Sequence, residues 1–107
     1  MDEYKIKVTR QAKEHLALIR EYIATELKEP AIAKRILELL KSEMMSLQTM
    51  PYRVKLISEQ PWCELGFRKI RVQNYYVYFW VYENKREVQI LAVIYARRDQ
   101  DTQLEQL

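Results

Sequence analysis

Residues 66–99 read GFRKIRVQNYYVYFWVYENKREVQILAVIYARRD, and this stretch decides the fold. It consists of three runs of β-branched and aromatic residues, broken at Asn74 and again at Glu83-Asn84-Lys85. Such runs, bounded by turn-forming residues, read as three consecutive strands joined by short turns. Side chains alternate between the faces of a strand, so Lys69 and Arg71 share one side while Ile70 and Val72 share the other. Arg97 and Arg98 follow directly on the last apolar run. A sheet that buries one face and carries cations and tyrosines on or around the other is suited to meeting an anionic partner.

Working outward, the N-terminal half has a different period. Tyr4, Ile6 and Val8 alternate with Lys5 and Lys7, which predicts a short first strand with one buried face. Thr9 is suited to cap a helix. Ala12, Leu16, Ile19, Ile23 and Leu27 then recur at spacings of three and four, and predict a helix over 10–28. Pro30 ends that helix and suits the first turn of the next. Ala33, Ile36, Leu37, Leu40, Met44 and Leu47 mark the second helix, over 30–48, and Pro51 stops it. The short joint between them predicts an antiparallel hairpin. Residues 51–65 read as a loop with room for a short strand at Val54–Ile57, and Trp62 within it as a packing residue.

The expected order is β-α-α-β-β-β, an α+β domain with the helical hairpin packed on one face of a mainly antiparallel sheet. The second face is then concave or open unless a partner fills it. At 107 residues the chain is expected to form one domain, 1–107, with a modest core. No apolar run reaches the roughly 18 residues needed to span a bilayer, and the charged opening MDEYKIKV has no signal-peptide core. The single Cys63 allows no internal disulfide, and no cysteine–histidine spacing suggests zinc. A cytoplasmic protein without metal or cofactor is expected.

Charge is distributed unevenly. Residues 1–50 hold nine Lys/Arg against eight Asp/Glu, residues 51–98 nine against four, and residues 99–107 only Asp99, Asp101 and Glu105. Positive charge therefore gathers on the sheet half, the footprint of a surface that binds an anionic partner.

Taken together, these pieces resemble the RelE/ParE superfamily of bacterial type II toxin–antitoxin modules. The resemblance spans nearly the whole chain. It rests on Val8-Thr9 leading into the hairpin, on EYIATEL (21–27) and PAIAKRILELLKSEMMSL (30–47), and on the Met50-Pro51 that closes the hairpin. It continues through Gly66-Phe67-Arg68-Lys69-Ile70-Arg71-Val72 and the strand ending in Val93-Ile94-Tyr95-Ala96-Arg97-Arg98-Asp99. It implies a toxin that arrests growth, is tied to plasmid stabilisation, and is masked by a small cognate antitoxin in a hetero-oligomer. Two mechanisms occur in the family. RelE-like members cleave mRNA on the ribosome, and ParE-like members poison DNA gyrase.

Carried over residue by residue, the RelE pattern assigns Lys69, Arg71 and Arg97 to catalysis. Target binding would fall to Arg68, Lys69, Arg71, Tyr76, Tyr95, Arg97 and Arg98 under either mechanism. Tyr76 stands where the nuclease pattern has an arginine, and the tail DQDTQLEQL lacks its tyrosine. These departures, with the long hairpin and the Ala-Arg-Arg-Asp ending, point to the ParE branch. Cleaving RNA internally also needs an acid, a base and cations for the phosphorane. The one histidine, His15, is expected on the surface of the first helix, away from the cationic sheet. A base would then have to be a lysine or a tyrosine. The alternative use of Arg68, Lys69 and Arg71 is to dock phosphate or an acidic protein.

The third strand divides its aromatics. Tyr75, Val77, Phe79 and Val81 lie on one face, and Tyr76, Tyr78, Trp80 and Tyr82 on the other. One set is expected in the core. The other is available for antitoxin contact or base stacking. Asp99 is expected to pair with an arginine or to cap the tail.

Overall fold

A computed structural model describes residues 3–96. Arg97, Arg98 and Asp99, expected to take part in the site or its surroundings, lie outside the described residues. Strand β1 (Lys5–Val8) leads into α1 (Arg10–Glu21), and α2 (Pro30–Met45) follows. The meander is β2 (Arg68–Val72), β3 (Tyr75–Tyr82) and β4 (Glu87–Tyr95). The strand order is β1-β4-β3-β2, with β1 parallel to β4 and the other pairings antiparallel. This is the expected α+β arrangement, two helices on a four-stranded sheet.

Helix α1 begins at Thr9, whose Oγ1 accepts from the Ala12 amide at 3.3 Å. Its periodic apolar stripe ends differently from the sequence expectation. Residues Tyr22–Glu26 form a π-helical turn, and Lys28 follows at φ 56. The extra residue in that turn breaks the 3.6 period, so Ile23 stays buried whereas Leu27 is turned out. Pro30 opens α2, whose Ala33, Leu40 and Met44 are buried, and a 3₁₀ turn at Ser46–Gln48 completes it.

The helix-side core joins Ala12, Leu40, Met44 and Leu47 to Val72, Val77, Phe79, Val88, Ile90 and Val93 of the sheet. Beside it Ile6, Val8 and Ile70 are partly buried, so the alternation read from the sequence holds on three strands.

The second face is not left open. Between α2 and β2 the expected strand at Val54–Ile57 reduces to one isolated bridge, Leu56 to Arg68. From there the chain folds over the sheet, tied where the Ile57 amide donates to the Phe67 carbonyl at 2.9 Å. Gly66, at φ 82, turns it back into β2. Trp62 stacks on Phe67, centroids 6.0 Å apart, and both pack with Ile57 against Tyr78, Ala92 and Ile94. Trp62 is thus the packing residue it was expected to be. Of the four aromatics on this face of β3, Tyr78 is fully buried beneath the chain's own segment.

Strand β1 ends opposite Ile90, which leaves the outer edge of β4 without a strand neighbour. Helix α1 supplies partners for it instead. Thr9 Oγ1 donates to the Ile90 carbonyl at 2.8 Å and Gln11 Nε2 to that of Leu91 at 3.2 Å. The Val93 amide donates to His15 Nδ1 at 3.1 Å. His15 is therefore half-buried and bonded to the sheet edge, which corrects its expected surface placement. A buried backbone amide needs an acceptor, and this histidine provides one.

Candidate functional site

Register fixes the candidate cations. Lys69 lies opposite Tyr78 and Arg71 opposite Tyr76. The Lys69 ammonium sits 4.4 Å from the Tyr76 ring centre, and the Arg71 guanidinium 5.6 Å from the same ring. Both distances fall within cation–π reach. Arg71 is further held where its Nε donates to the Gln73 carbonyl at 2.9 Å, in the β2–β3 turn. Lys69, Arg71 and Tyr76 thus form one cluster on the second face. Beside it a hollow of about 270 Å³ is lined by Lys55, Leu56, Ile57, Ser58, Glu59 and Lys69. Two cations on one ring concentrate positive charge at one point of this face, and the tyrosine limits how they can move.

The other sequence candidates are placed elsewhere. Arg68 alternates to the helix side with Ile70. Its Nη1 donates to the Val54 carbonyl, and its guanidinium lies 5.1 Å from the Tyr52 ring. That residue anchors the segment entering the second face. Tyr95 pairs edge-on with Tyr75, centroids 5.6 Å apart, also on the helix side. Arg97 and Arg98 are outside the described residues.

Tyr95 belongs to a groove that sequence reasoning missed. About 750 Å³ of space opens between the hairpin's turn and the β2–β3 turn, bordered by Leu18, Tyr22, Leu27, Ile32, Tyr75 and Tyr95. Leu18, Tyr22, Leu27 and Ile32 are each exposed by 47–63 %. The π-helical turn creates this patch by rotating Leu27 outward, and no local sequence signal marks a π turn.

A polar hub at the far end of β3 was also missed. Glu83 accepts from the Tyr4 hydroxyl at 2.8 Å and the Tyr52 hydroxyl at 2.6 Å, and pairs with Arg86 at 2.9 Å. The Arg86 guanidinium lies 4.2 Å from the Tyr4 ring. These contacts staple β1 and the 3₁₀ turn Pro51–Arg53 to the β3–β4 turn. The Glu83 carboxylate, helped by partial burial, pushes the Tyr52 phenol up to about 12. The two phenol donors, Tyr52 first, hold Glu83 below its ordinary 4.5.

Among the described residues no group of three His, Cys, Asp or Glu is placed to hold a metal. No helix among them is long and apolar enough to cross a membrane.

This fold is similar to that of solved toxins. A chain from the chromosomal ParDE system of P. aeruginosa superposes with a TM-score of 0.75 at 22% identity, covering 91% of this chain and 100% of that one. The toxin–antitoxin complex RelBE2 of Mycobacterium tuberculosis gives 0.67 at 20% identity, with 89% and 93% covered. A mutant E. coli RelE toxin in the free state gives 0.67 at 14% identity, with 98% of each chain covered. At these identities the likeness speaks for the fold. None of the curated proteins matches the chain. Residues 6–100 match the family described as the ParE toxin of the type II toxin–antitoxin system parDE. That match takes in both helices, β2 to β4 and all of β1 after Lys5, and the resemblance read from the sequence is thereby established: the chain belongs to the ParE toxin family, within the RelE/ParE superfamily of type II toxins.

Proposed function

We propose that this toxin arrests growth by poisoning DNA gyrase, and that it reaches its target through the cluster of Lys69, Tyr76 and Arg71. The observation that carries this reading is Tyr76 itself. At the centre of the cationic cluster stands an aromatic ring that two cations already occupy. A phosphoryl-transfer site would want a cation there to steady the developing charge. The half-buried His15 accepts a hydrogen bond from β4 and belongs to the helix side, so it supplies neither acid nor base to this cluster. A docking surface for an acidic or phosphate-bearing target needs neither.

A RelE-like nuclease is the second reading. It is favoured by the pairing of Lys69 and Arg71 on one face, two residues apart on β2. A supercoiling assay with purified gyrase separates the two. The gyrase reading requires enzyme-linked DNA breaks, and the nuclease reading requires cut transcripts on primer extension.

The masking partner is a small cognate antitoxin, acting in the cytoplasm. Its docking place is the apolar groove between the hairpin turn and Tyr95, since exposed apolar surface of this kind marks an interaction site. An amphipathic antitoxin segment laid into the groove would bury Leu18, Tyr22, Leu27 and Ile32. Solved relatives of this fold include a toxin–antitoxin complex, which supports such a pairing. Co-expression with the neighbouring open reading frame should restore growth.

A further inference from the structure

Beyond the buried Tyr78, β3 carries two more aromatics on the second face, Trp80 and Tyr82. Both are half-buried, and their rings stack 5.4 Å apart with 26° between the planes. Neither belongs to the helix-side core nor to the cluster beneath Ile57 and Trp62. Packing therefore does not account for them. The indole is nonetheless held in one orientation. Trp80 Nε1 donates to Gln89 Oε1 at 2.7 Å, and Gln89 Nε2 donates to Glu87 Oε1 at 2.7 Å.

Lysines rim this pair. The register of β1 on β4 sets Lys5 opposite Glu87 and Lys7 opposite Gln89. Ile6 and Val8 turn to the helix-side core, so alternation sends Lys5 and Lys7 to the second face, where both are exposed. From the β3–β4 turn the exposed Lys85 places its ammonium 5.8 Å from the Tyr82 ring. One ammonium group thus approaches the Tyr82 ring, and two more stand on the same face, on the strand beyond Glu87 and Gln89.

We infer that Trp80 and Tyr82, with Lys5, Lys7 and Lys85, form a docking platform for single-stranded nucleic acid. Aromatic faces rimmed by flexible point charges fit a polymer that alternates bases with phosphates. The bases stack on the rings while the lysines pair with the backbone. Lysine lacks the planar fork that reads a base edge, so the recognition is of the chain and tolerates many sequences. An apolar protein segment would have to desolvate the same ammonium groups without an anion to replace the lost water, which favours the polyanion. Along β3, Trp80 is four residues from Tyr76, about 13 Å at strand rise. The platform and the Lys69–Tyr76–Arg71 cluster can therefore be separated by mutation.

The test uses the full-length chain with short oligodeoxyuridylate and oligouridylate, which differ only in the 2′-hydroxyl, as probes. Binding is followed by anisotropy of the labelled oligomers. Indole emission is followed in a Trp62→Phe background, which leaves Trp80 as the one tryptophan. Both probes are expected to quench Trp80. The double variant Lys5→Glu/Lys7→Glu should weaken binding roughly tenfold, and flatten the dependence of log K on log salt by about 1.4 for two lost phosphate contacts. Lys85→Glu should act in the same direction. Lys69→Ala/Arg71→Ala should leave the quenching in place. Equal affinity for the two probes would assign recognition to bases and phosphates alone, and preference for one would add the sugar as a determinant. Unchanged Trp80 emission with both oligomers would overturn the proposal, as would binding indifferent to Lys5 and Lys7. The readout does not involve growth arrest, so its failure would leave the toxin reading standing.

Discussion

The Lys69 ammonium lies 4.4 Å from the centre of the Tyr76 ring, across the β2–β3 pairing. Arg71 approaches the same ring from the next position on its face of β2. If this cluster meets the target, Arg71→Glu should abolish growth arrest. Because Arg71 is exposed, its replacement should change folding stability by no more than about 0.5 kcal/mol. Tyr76→Leu should weaken toxicity as well, by releasing both cations from their common support. Growth curves under tight induction, paired with thermal melts, check both variants. Full toxicity in Arg71→Glu would place the target surface elsewhere.

The groove separates masking from poisoning. Leu18 and Leu27 are more than half exposed, so Leu18→Asp/Leu27→Asp should fold normally and remain toxic. The same double variant should no longer be rescued by the antitoxin. A pull-down with the neighbouring gene product measures this directly. Retained rescue would show that the antitoxin covers another face.

His15 tests how the edge of β4 is satisfied. Its Nδ1 accepts the Val93 amide where β1 has already ended. His15→Ala removes that acceptor from a partly buried donor and should cost about 1–2 kcal/mol in denaturant unfolding. His15→Leu should cost a similar amount, because restored apolar volume does not restore the acceptor. Recovery of full stability in the leucine variant would mean that the ring matters for packing alone.

The Glu83 hub makes a prediction about pH. Tyr52 is raised from 10.0 to about 12, mainly by its hydrogen bond to Glu83, so its contribution is complete below pH 10 and is lost as pH rises through about 12. Glu83 is lowered, with the Tyr52 bond the largest cause, so its contribution is present above its ordinary 4.5 and is lost as pH falls through its depressed value. Tyr52 is 48% exposed, which keeps the effect small through solvent screening. Melting temperature against pH should therefore fall at both ends in the native chain. In Glu83→Gln both of these limbs should be shallower.

The fold was legible because its signals are local and periodic. Strand alternation placed Lys69 and Arg71 together, and Thr9 and Pro30 marked where helices begin. What the sequence could not convey came from non-local pairing or from broken periods. Arg68 follows the alternation to the helix side, yet its role depends on meeting Val54 and Tyr52, more than a dozen residues back. The burial of Tyr78 depends on a loop whose apolar residues, Ile57, Trp62 and Phe67, have no period to announce which face they cover. Leu27 fits the helical stripe in sequence, and only the π turn shows why it leaves the core.

On the proposed mechanism, the Lys69–Tyr76–Arg71 face turns gyrase into a poison. The most direct measurement mixes purified toxin, gyrase and plasmid DNA, then denatures and deproteinises the mixture to reveal trapped breaks. The native chain should accumulate linear DNA, Arg71→Glu should not, and primer extension on cellular mRNA should find no new cuts. Intact plasmid with the native chain, together with cut transcripts that vanish in Lys69→Ala, would contradict the account and make the chain a nuclease.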